Sequence, residues 1–347
     1  MKLAAIGLGG LGHYELEVYD EIDGVEIIAG ADVASPSRED FEAAFDAPAY
    51  EDYERLLDDH GEDLDAVSIV TPHTLHYDQA MAAFERGLHV FLEKPMVTSV
   101  DDAVDLVETA AKRDLVLAVG YQRHFHPAYR ELRNVVQSGR IGDVHMINCY
   151  LGQEWIDVQK DAWRADPTLS GGGQLYDSGA HLLDALLWTT GTRPRSVAAT
   201  MDYREHDVDV NSALAATLER DGDVVTASIA VSADGTTATP HESLTVIGTD
   251  GHATYRDGEL TVVESESVTY EASFEHEDFE ALTRAKLDDF VTAVETGADP
   301  AVPGEVGLQV TALTEAAYNA YESGRSVDVT ELVESARSAD APAATSD

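Results

Sequence analysis

The strand-like run "KLAAI", residues 2–6, breaks into Gly7-Leu8-Gly9-Gly10-Leu11-Gly12 and passes at once into the helix-periodic "LGHYELEVYDEI". Each part of this G-x-G-x-x-G loop has a physical job. Gly7 permits a tight turn, Gly9 lets the backbone approach a pyrophosphate, and Gly12 lets the helix lie close on the strand. Gly10 and Leu11 open the helix, whose N-terminus favours negative phosphates. The next strand, "VEIIAGAD", ends at Asp32, twenty residues after Gly12. A carboxylate there accepts hydrogen bonds from both ribose hydroxyls of an adenosine and repels a 2′-phosphate. The loop therefore predicts NAD as cofactor, with NADP as the alternative because Arg38 lies nearby.

The alternation continues through "DAVSIVTP", "LHVFLEKP" and "LVLAVGY", which take turns with the helical patterns "TLHYDQAMAAFERG" and "VDDAVDLVETAAKRD". Strand and helix in alternation imply an α/β fold with a doubly wound parallel sheet over residues 1–120, a first domain of the dinucleotide-binding kind that the glycine loop opens. From residue 121 the rhythm changes. A helical segment near 172–189 precedes the strand patterns "SVAATMDY", "SALAATLER", "DVVTASIAVSA" and "ESLTVIGTD", and helices near 278–297 and 304–323 follow. Strands in succession predict an open, largely antiparallel sheet, so residues 121–330 read as a second, α+β domain. Residues 331–347, ending in the small and polar "ESARSADAPAATSD", read as a mobile acidic tail.

With 66 acidic against 22 basic residues the formal net charge is −44. That field repels phosphate backbones and anionic membranes, so neither nucleic acid nor membrane is expected as a partner. The hydrophobic fraction of 44% is ordinary and periodic, which argues for a folded body with an acidic surface over a disordered chain. Such a surface suits a salt-filled cytosol, where screening removes the self-repulsion of the carboxylates; the chain reads as halophilic. A single cysteine, Cys149, the absence of a basic and apolar leader before "KLAAI" and the lack of a membrane-length apolar run make the cytoplasm the expected location.

Only five lysines occur, and one of them, Lys94, follows a buried strand in "HVFLEKPM" beside Glu93 and Pro95. In an open α/β sheet the carboxyl ends of strands line the ligand crevice, so Glu93 and Lys94 are expected on the cofactor side, with Lys94 reaching the substrate as well. Thr71-Pro72-His73 and His76 sit at the end of the preceding strand on the same edge, where cofactor-side contacts are expected; the two histidines lack the partner ligands of a metal site, and no metal is expected. Gln122 and Arg123 follow the last strand, Gln122 on the cofactor side and Arg123 within reach of a hydroxyl-rich substrate. In "GGGQLYDSGAHLLD", Asp177, His181 and Asp184 are spaced four and three apart, a single stripe on a helix otherwise apolar over most of its circumference. A helix so apolar is buried on several sides, and its one polar stripe must face a partner or a cleft.

The phosphate loop, "EKP", "YQRHF", the "WR" of Trp163-Arg164 and "GGGQLYDSGAHLLD" occur in an order that resembles the Gfo/Idh/MocA oxidoreductase family over residues 1–330. The resemblance implies nicotinamide-dependent oxidation or reduction of a sugar, polyol or inositol. It also implies that residues 1–120 form a Rossmann domain, and that the C-terminal domain binds substrate, with Trp163 and Arg164 on it, and joins subunits through its open sheet into a dimer or tetramer. By motif match Lys94, Asp177 and His181 correspond to the family's lysine, aspartate and histidine, while His73 stands where many members carry asparagine. Alcohol oxidation requires a hydride and a proton to leave. His181 is the expected base, with Lys94 stabilising the alkoxide or itself serving as base, Asp177 orienting substrate or lysine, and Asp184 fixing the substrate. Two other readings keep the fold: a non-catalytic NAD(P)-sensing regulator, and an NAD-dependent glycosidase that works by transient oxidation.

Overall fold

The structure, a computed structural model, describes residues 1–265, 267–274 and 279–339. Its contacts divide the chain into two compact units, Met1–Val97 with Leu106–Phe125 and Glu277–Gly307, and Thr98–Asp105 with His126–His276 and Leu308–Asp347. The described residues 279–307, within the 121–330 stretch read from sequence as the second domain, thus cluster with the first unit.

The first unit carries strands β1 (Lys2–Ile6), β2 (Glu26–Ala31), β3 (Ala49–Tyr50), β4 (Ala66–Ile69), β5 (His89–Leu92) and β6 (Leu117–Val119). They are connected by helices α1 (Leu11–Asp20), α2 (Ser35–Phe45), α3 (Tyr53–His60), α4 (His76–Glu85) and α5 (Val100–Arg113). The strands pair in the order β3-β2-β1-β4-β5-β6, every pair parallel. Strand β4, "AVSI", is buried along its whole length, as a strand covered on both faces must be. The order reverses between β1 and β4, and the carboxyl ends of strands at such a reversal splay into a ligand crevice. A helix from far along the chain, Phe279–Thr296, completes the core: its Leu287, Phe290 and Val291 pack with Leu3, Tyr19 and Phe91.

The second unit begins with α6 (Pro127–Gln137), β7 (Val144–Gly152), the single turns α7 (Ile156–Gln159) and α8 (Pro167–Ser170), and α9 (Ser178–Thr190). Strands β8 (Arg193–Asp202), β9 (Asn211–Arg220), β10 (Asp223–Ser232), β11 (His241–Gly248), β12 (Gly251–Arg256), β13 (Glu259–Glu264) and β14 (Ser267–Ser273) follow. Next come α10, the helix Phe279–Thr296 already placed in the first unit, then α11 (Gly304–Ser323), β15 (Val327–Asp328) and α12 (Val329–Ala339). The sheet is open, nine strands in the order β14-β13-β12-β11-β7-β10-β9-β8-β15, antiparallel except where β7 meets β10. Helices α6 and α9 pack on each other, and α9 on β7.

Three details differ from the sequence patterns. The central strand β7 is not among the runs named above, because its alternation is broken by two successive exposed residues, His145 and Met146. Helix α9 begins at Ser178 and not near 172, for a reason given below. Residues 329–339 of the C-terminal stretch form α12, while 340–347, the rest of the expected tail, lie outside the described residues.

Candidate active site

In the first unit the loop from β1 to α1 is shaped by close approach. Gly7 has φ +93°, and a Cβ on it would lie 2.1 Å from the Val70 carbonyl oxygen; a Cβ on Gly12 would lie 2.1 Å from that of Gly7. Both positions are closed to any side chain by the protein's own backbone. Gly9 is different. Its Cβ would meet only the Ser37 hydroxyl, at 3.5 Å, so the protein's packing does not demand glycine there. The backbone at Gly9 is open to close approach from outside, the access that a phosphate needs. Gly10, at the N-cap of α1, offers the helix no side-chain cap, and a cleft of about 590 Å³ opens beside Leu8, Gly9, Gly10, His13, Ser37 and Asp40. These residues fit a dinucleotide.

Asp32 stands where β2 ends, and its two oxygens accept the amides of Leu8 and Ala34, each at 2.8 Å. It thereby ties the phosphate loop to the β2 end. Arg38 donates through Nη1 to the main-chain carbonyls of Asp32 (2.7 Å) and Val33 (3.0 Å), which places its guanidinium at the end of β2.

The next two strand ends are clipped together by His76. Its Nε2 lies 3.0 Å from the Thr71 carbonyl oxygen after β4, and its Nδ1 lies 3.0 and 3.1 Å from the carbonyls of Pro95 and Met96 after β5. Burial pushes its pKa down against the pull of those carbonyls and of Glu93. His73 is buried beside it, on the short turn that Pro72 opens, with ring centroids 6.0 Å apart. Thr71 donates its hydroxyl to Gln79 at 2.6 Å.

Glu93 is turned inward. One carboxylate oxygen accepts the Lys94 amide at 3.1 Å, and the other accepts from the ammonium of Lys286 on α10. Lys94 itself is half-buried, at the mouth of β5. Gln122 and Arg123 open a short turn after β6, Gln122 half-buried and Arg123 buried.

In the second unit the loop Gly171–Asp177 is closed by a carboxylate far away in sequence. Asp209, fully buried, accepts the amides of Gly173 (2.6 Å) and Leu175 (3.0 Å), the Ser212 hydroxyl (3.1 Å) and the Tyr318 hydroxyl. A Cβ on Gly173 would lie 2.2 Å from the Asp209 carbonyl oxygen. These contacts hold residues 171–177 out of helical conformation and delay α9 to Ser178. Asp177 then occupies the N-cap, a position where aspartate normally accepts a helix amide and stabilises by about 1 kcal/mol. It does not do so here. Its Oδ2 accepts the indole N–H of buried Trp155 at 2.7 Å and lies 3.6 Å from Arg164 Nε. Arg164 in turn stacks on Trp163, 4.5 Å from the ring centroid. The second unit thus gathers Trp155 and Arg164, with Trp163 behind it, around the Asp177 carboxylate. His181, one turn along α9, is half-buried, and Asp184 is fully buried.

Residues 1–121 match the model of an oxidoreductase family with an NAD-binding Rossmann fold, and residues 129–254 match the GFO/IDH/MocA C-terminal domain. The chain belongs to the Gfo/Idh/MocA oxidoreductase family. Among its Gfo/Idh/MocA relatives, the D-xylose 1-dehydrogenase (NADP(+)) 2 of Haloferax volcanii is 31% identical over 291 residues, 81% of this chain and 85% of that protein. The rhizopine catabolism protein MocA of Rhizobium meliloti is 29% identical over 194 residues, which take in 56% of this chain but only 58% of MocA. A levoglucosan dehydrogenase solved with NADH and levoglucosan shares the fold at TM-score 0.85, with 18% identity and 95% and 99% of the two chains covered. An NAD(P)-dependent oxidoreductase is therefore the frame for the geometry above.

Within this Gfo/Idh/MocA member, sequence reasoning passed over the side chains that hold the candidates in place: Trp155, Asp209 and Tyr318 in the second unit, Glu15 and Lys286 in the first. None lies in a motif. The only available signal was the scarcity of lysine, which marks Lys286 as it marks Lys94. Among the described residues, no three histidine, cysteine or acidic side chains gather as a metal site, and no helix is long and apolar enough to cross a membrane.

Proposed function

We propose that this oxidoreductase transfers a hydride between NAD(P) and a hydroxyl-bearing carbon of a sugar or polyol. The observation that carries the reading is the pairing, at the crevice edge of one sheet, of a phosphate loop whose Gly9 is left open to a ligand with Lys94 at the mouth of β5. The nicotinamide supplies the hydride acceptor when bound. His181 takes the hydroxyl proton, since an imidazole exchanges protons near neutral pH, and the Lys94 ammonium stabilises the negative charge that develops on that oxygen. Asp177 holds Arg164 and Trp163 in place for the substrate, a role its turn away from the α9 amides supports. Arg123 binds substrate hydroxyls, and Asp184, fully buried, braces the helix behind them. Gln122 and the Thr71–His73 turn serve the cofactor side.

NAD is the preferred cofactor, through the Asp32 carboxylate, and Arg38 makes NADP acceptable. D-xylose and levoglucosan, named for the relatives, head the substrate list. The decisive experiment follows NADH absorbance in molar salt over a panel of aldoses, anhydrosugars and inositols, with Lys94→Ala and His181→Ala beside the wild type. Turnover falls by about a thousandfold or more in both variants while NADH still binds. Full activity in both refutes the assignment, and sugar released from an aryl glycoside without net NADH selects the transient-oxidation reading instead.

We also assign a homo-oligomer, built on the face of the nine-stranded sheet away from α6 and α9. Three cross-strand rows there run through Met146, Asn148 and Tyr150 of β7, from β8 to β11, without one charged residue. A quarter of the chain is charged and its net charge is −44, so an uncharged face of this extent supports burial against a second copy. Tyr150→Glu is expected to reduce the mass measured by light scattering to that of one chain. The acidic surface and the buried free Cys149 support a salt-rich, reducing cytoplasm.

A further inference from the structure

Beneath the Lys94 segment lies a buried charge cluster that the proposed chemistry does not use. Lys286 of α10, Glu15 of α1 and Glu93 after β5 have side-chain exposures of 3%, 1% and 7%, and the Lys286 ammonium lies 2.6 Å from Glu15 Oε1 while donating to Glu93 Oε1. The Phe91 ring faces the same ammonium at 5.4 Å. Space for the Glu93 carboxylate is kept by Gly120, whose Cβ would lie 2.2 Å from Glu93 Oε1. Burial pushes Glu15 up to about 7 against the pull of Lys286. Burial also works to raise Glu93, but Lys286 and Lys94 outweigh it and hold it below the usual carboxylate value. Glu93 thus stays ionised, gripping Lys286 with one oxygen and the Lys94 amide with the other.

A buried ion cluster of this kind adds little stability over well-packed apolar residues of the same volume. Its product is geometric. Glu93 is a bracket whose one end is pinned by a helix 193 residues away in sequence and whose other end holds the backbone N–H of Lys94. We propose that Lys286 is a positioning residue: acting through the Glu93 carboxylate, it fixes the backbone from which the Lys94 ammonium is presented. The inference rests on the reading of Lys94 as a reacting-site lysine, and it reaches a residue outside every motif.

The test uses the full chain with Lys286→Met, and Glu15→Gln/Lys286→Met as a second variant, because the single change leaves two buried carboxylates without their cation and the double change removes one of them. Amide exchange at Lys94 is read by NMR, alongside kcat and the NADH dissociation constant. Lys94 exchange is expected to quicken and kcat to fall, each about tenfold or more, with NADH affinity changed less than about threefold. Lys286→Arg, which keeps a cation and donors, restores both. Wild-type protection of the Lys94 amide in the folded double variant overturns the proposal, as does quickened exchange with unchanged kcat. If the wild type oxidises no member of the panel, the assignment of function falls, and the exchange measurement still decides whether Lys286 holds the Lys94 backbone.

Discussion

The loop from β1 to α1 and the loop before α9 are both glycine-rich turns that enter a helix, yet they are held in opposite ways. The first is a mould of backbone against backbone, Gly7 on Val70 and Gly12 on Gly7. The second is drawn into shape by one buried carboxylate, Asp209, which lies 36 residues beyond Gly173 and 34 beyond Leu175. A mould of main chain is indifferent to most side-chain changes but intolerant of an added Cβ. A loop hung on one side chain fails when that side chain is lost, although Gly173 of the second loop is closed to a Cβ as well; the two regions should therefore part under side-chain substitutions and in different measurements.

The largest effect is expected from Gly7→Ala. The new methyl meets a carbonyl oxygen at 2.1 Å and the backbone sits at φ +93°, a conformation that alanine resists. NADH affinity measured by calorimetry should fall by about a hundredfold or more, since displacement of the loop by about 1 Å suffices for that. A dissociation constant within about threefold of the wild type would mean the mould yields, and the contrast between the loops would be lost.

Asp209→Ala comes next, and it should leave the phosphate loop untouched. It strips the acceptor from two buried amides at a cost of about 1–3 kcal/mol each, so the melting temperature falls by several degrees. Released from Asp209, residues 171–177 no longer hold Asp177 in register, and kcat should fall by about ten- to a hundredfold. NADH affinity should stay within about twofold. Unchanged kcat would show that α9 and its neighbours define the loop without Asp209.

Trp155→Phe probes the same region more gently. It keeps an aromatic ring, though a smaller one, and removes the indole N–H that Asp177 accepts, a bond to a charged group worth about 1.5–3 kcal/mol. Asp177 is then free to turn back and cap α9, which offsets about 1 kcal/mol of the loss. The net expectation is a melting temperature lowered by a few degrees with kcat/KM reduced about tenfold. A large loss of stability with unchanged kcat/KM would mark Trp155 as packing alone.

The same contrast explains what could be read from sequence. The phosphate loop, the β1–β6 sheet and the Lys94 strand end are built from contacts between near neighbours and regular alternation, and each left a local pattern. Asp177, His181 and Asp184 were legible as a helical stripe, although Asp177 turned out to precede the helix. What escaped was whatever depends on a partner distant in sequence. Asp209 sits in "HDVDVN", where nothing separates it from the many surface aspartates of an acidic chain; only the fold brings it to Gly173. Trp155 and Tyr318 carry no pattern beyond being aromatic, and α10 reads as an ordinary amphipathic helix until Lys286 is found facing Glu93.

The smallest effect lies at the outer margin of the first unit and sharpens the comparison by testing a side chain there. Arg38 donates to the main-chain carbonyl of Asp32, so its Nη1 is already committed to two main-chain carbonyls, and its Nη2 stands at a loose 4.0 Å from the exposed Glu51. A guanidinium so engaged can offer a 2′-phosphate only part of its donor set, in a setting open enough for solvent and salt to screen the attraction. Arg38→Leu should therefore lower kcat/KM with NADP by only about three- to tenfold and leave the value with NAD nearly unchanged. A loss of a hundredfold with NADP would make Arg38 a dedicated 2′-phosphate ligand and reverse the cofactor preference assigned to Asp32. A matching loss with NAD would instead reveal that Arg38, through the carbonyls it grips, holds the β2 end in place, so that even this part of the mould hangs on a side chain.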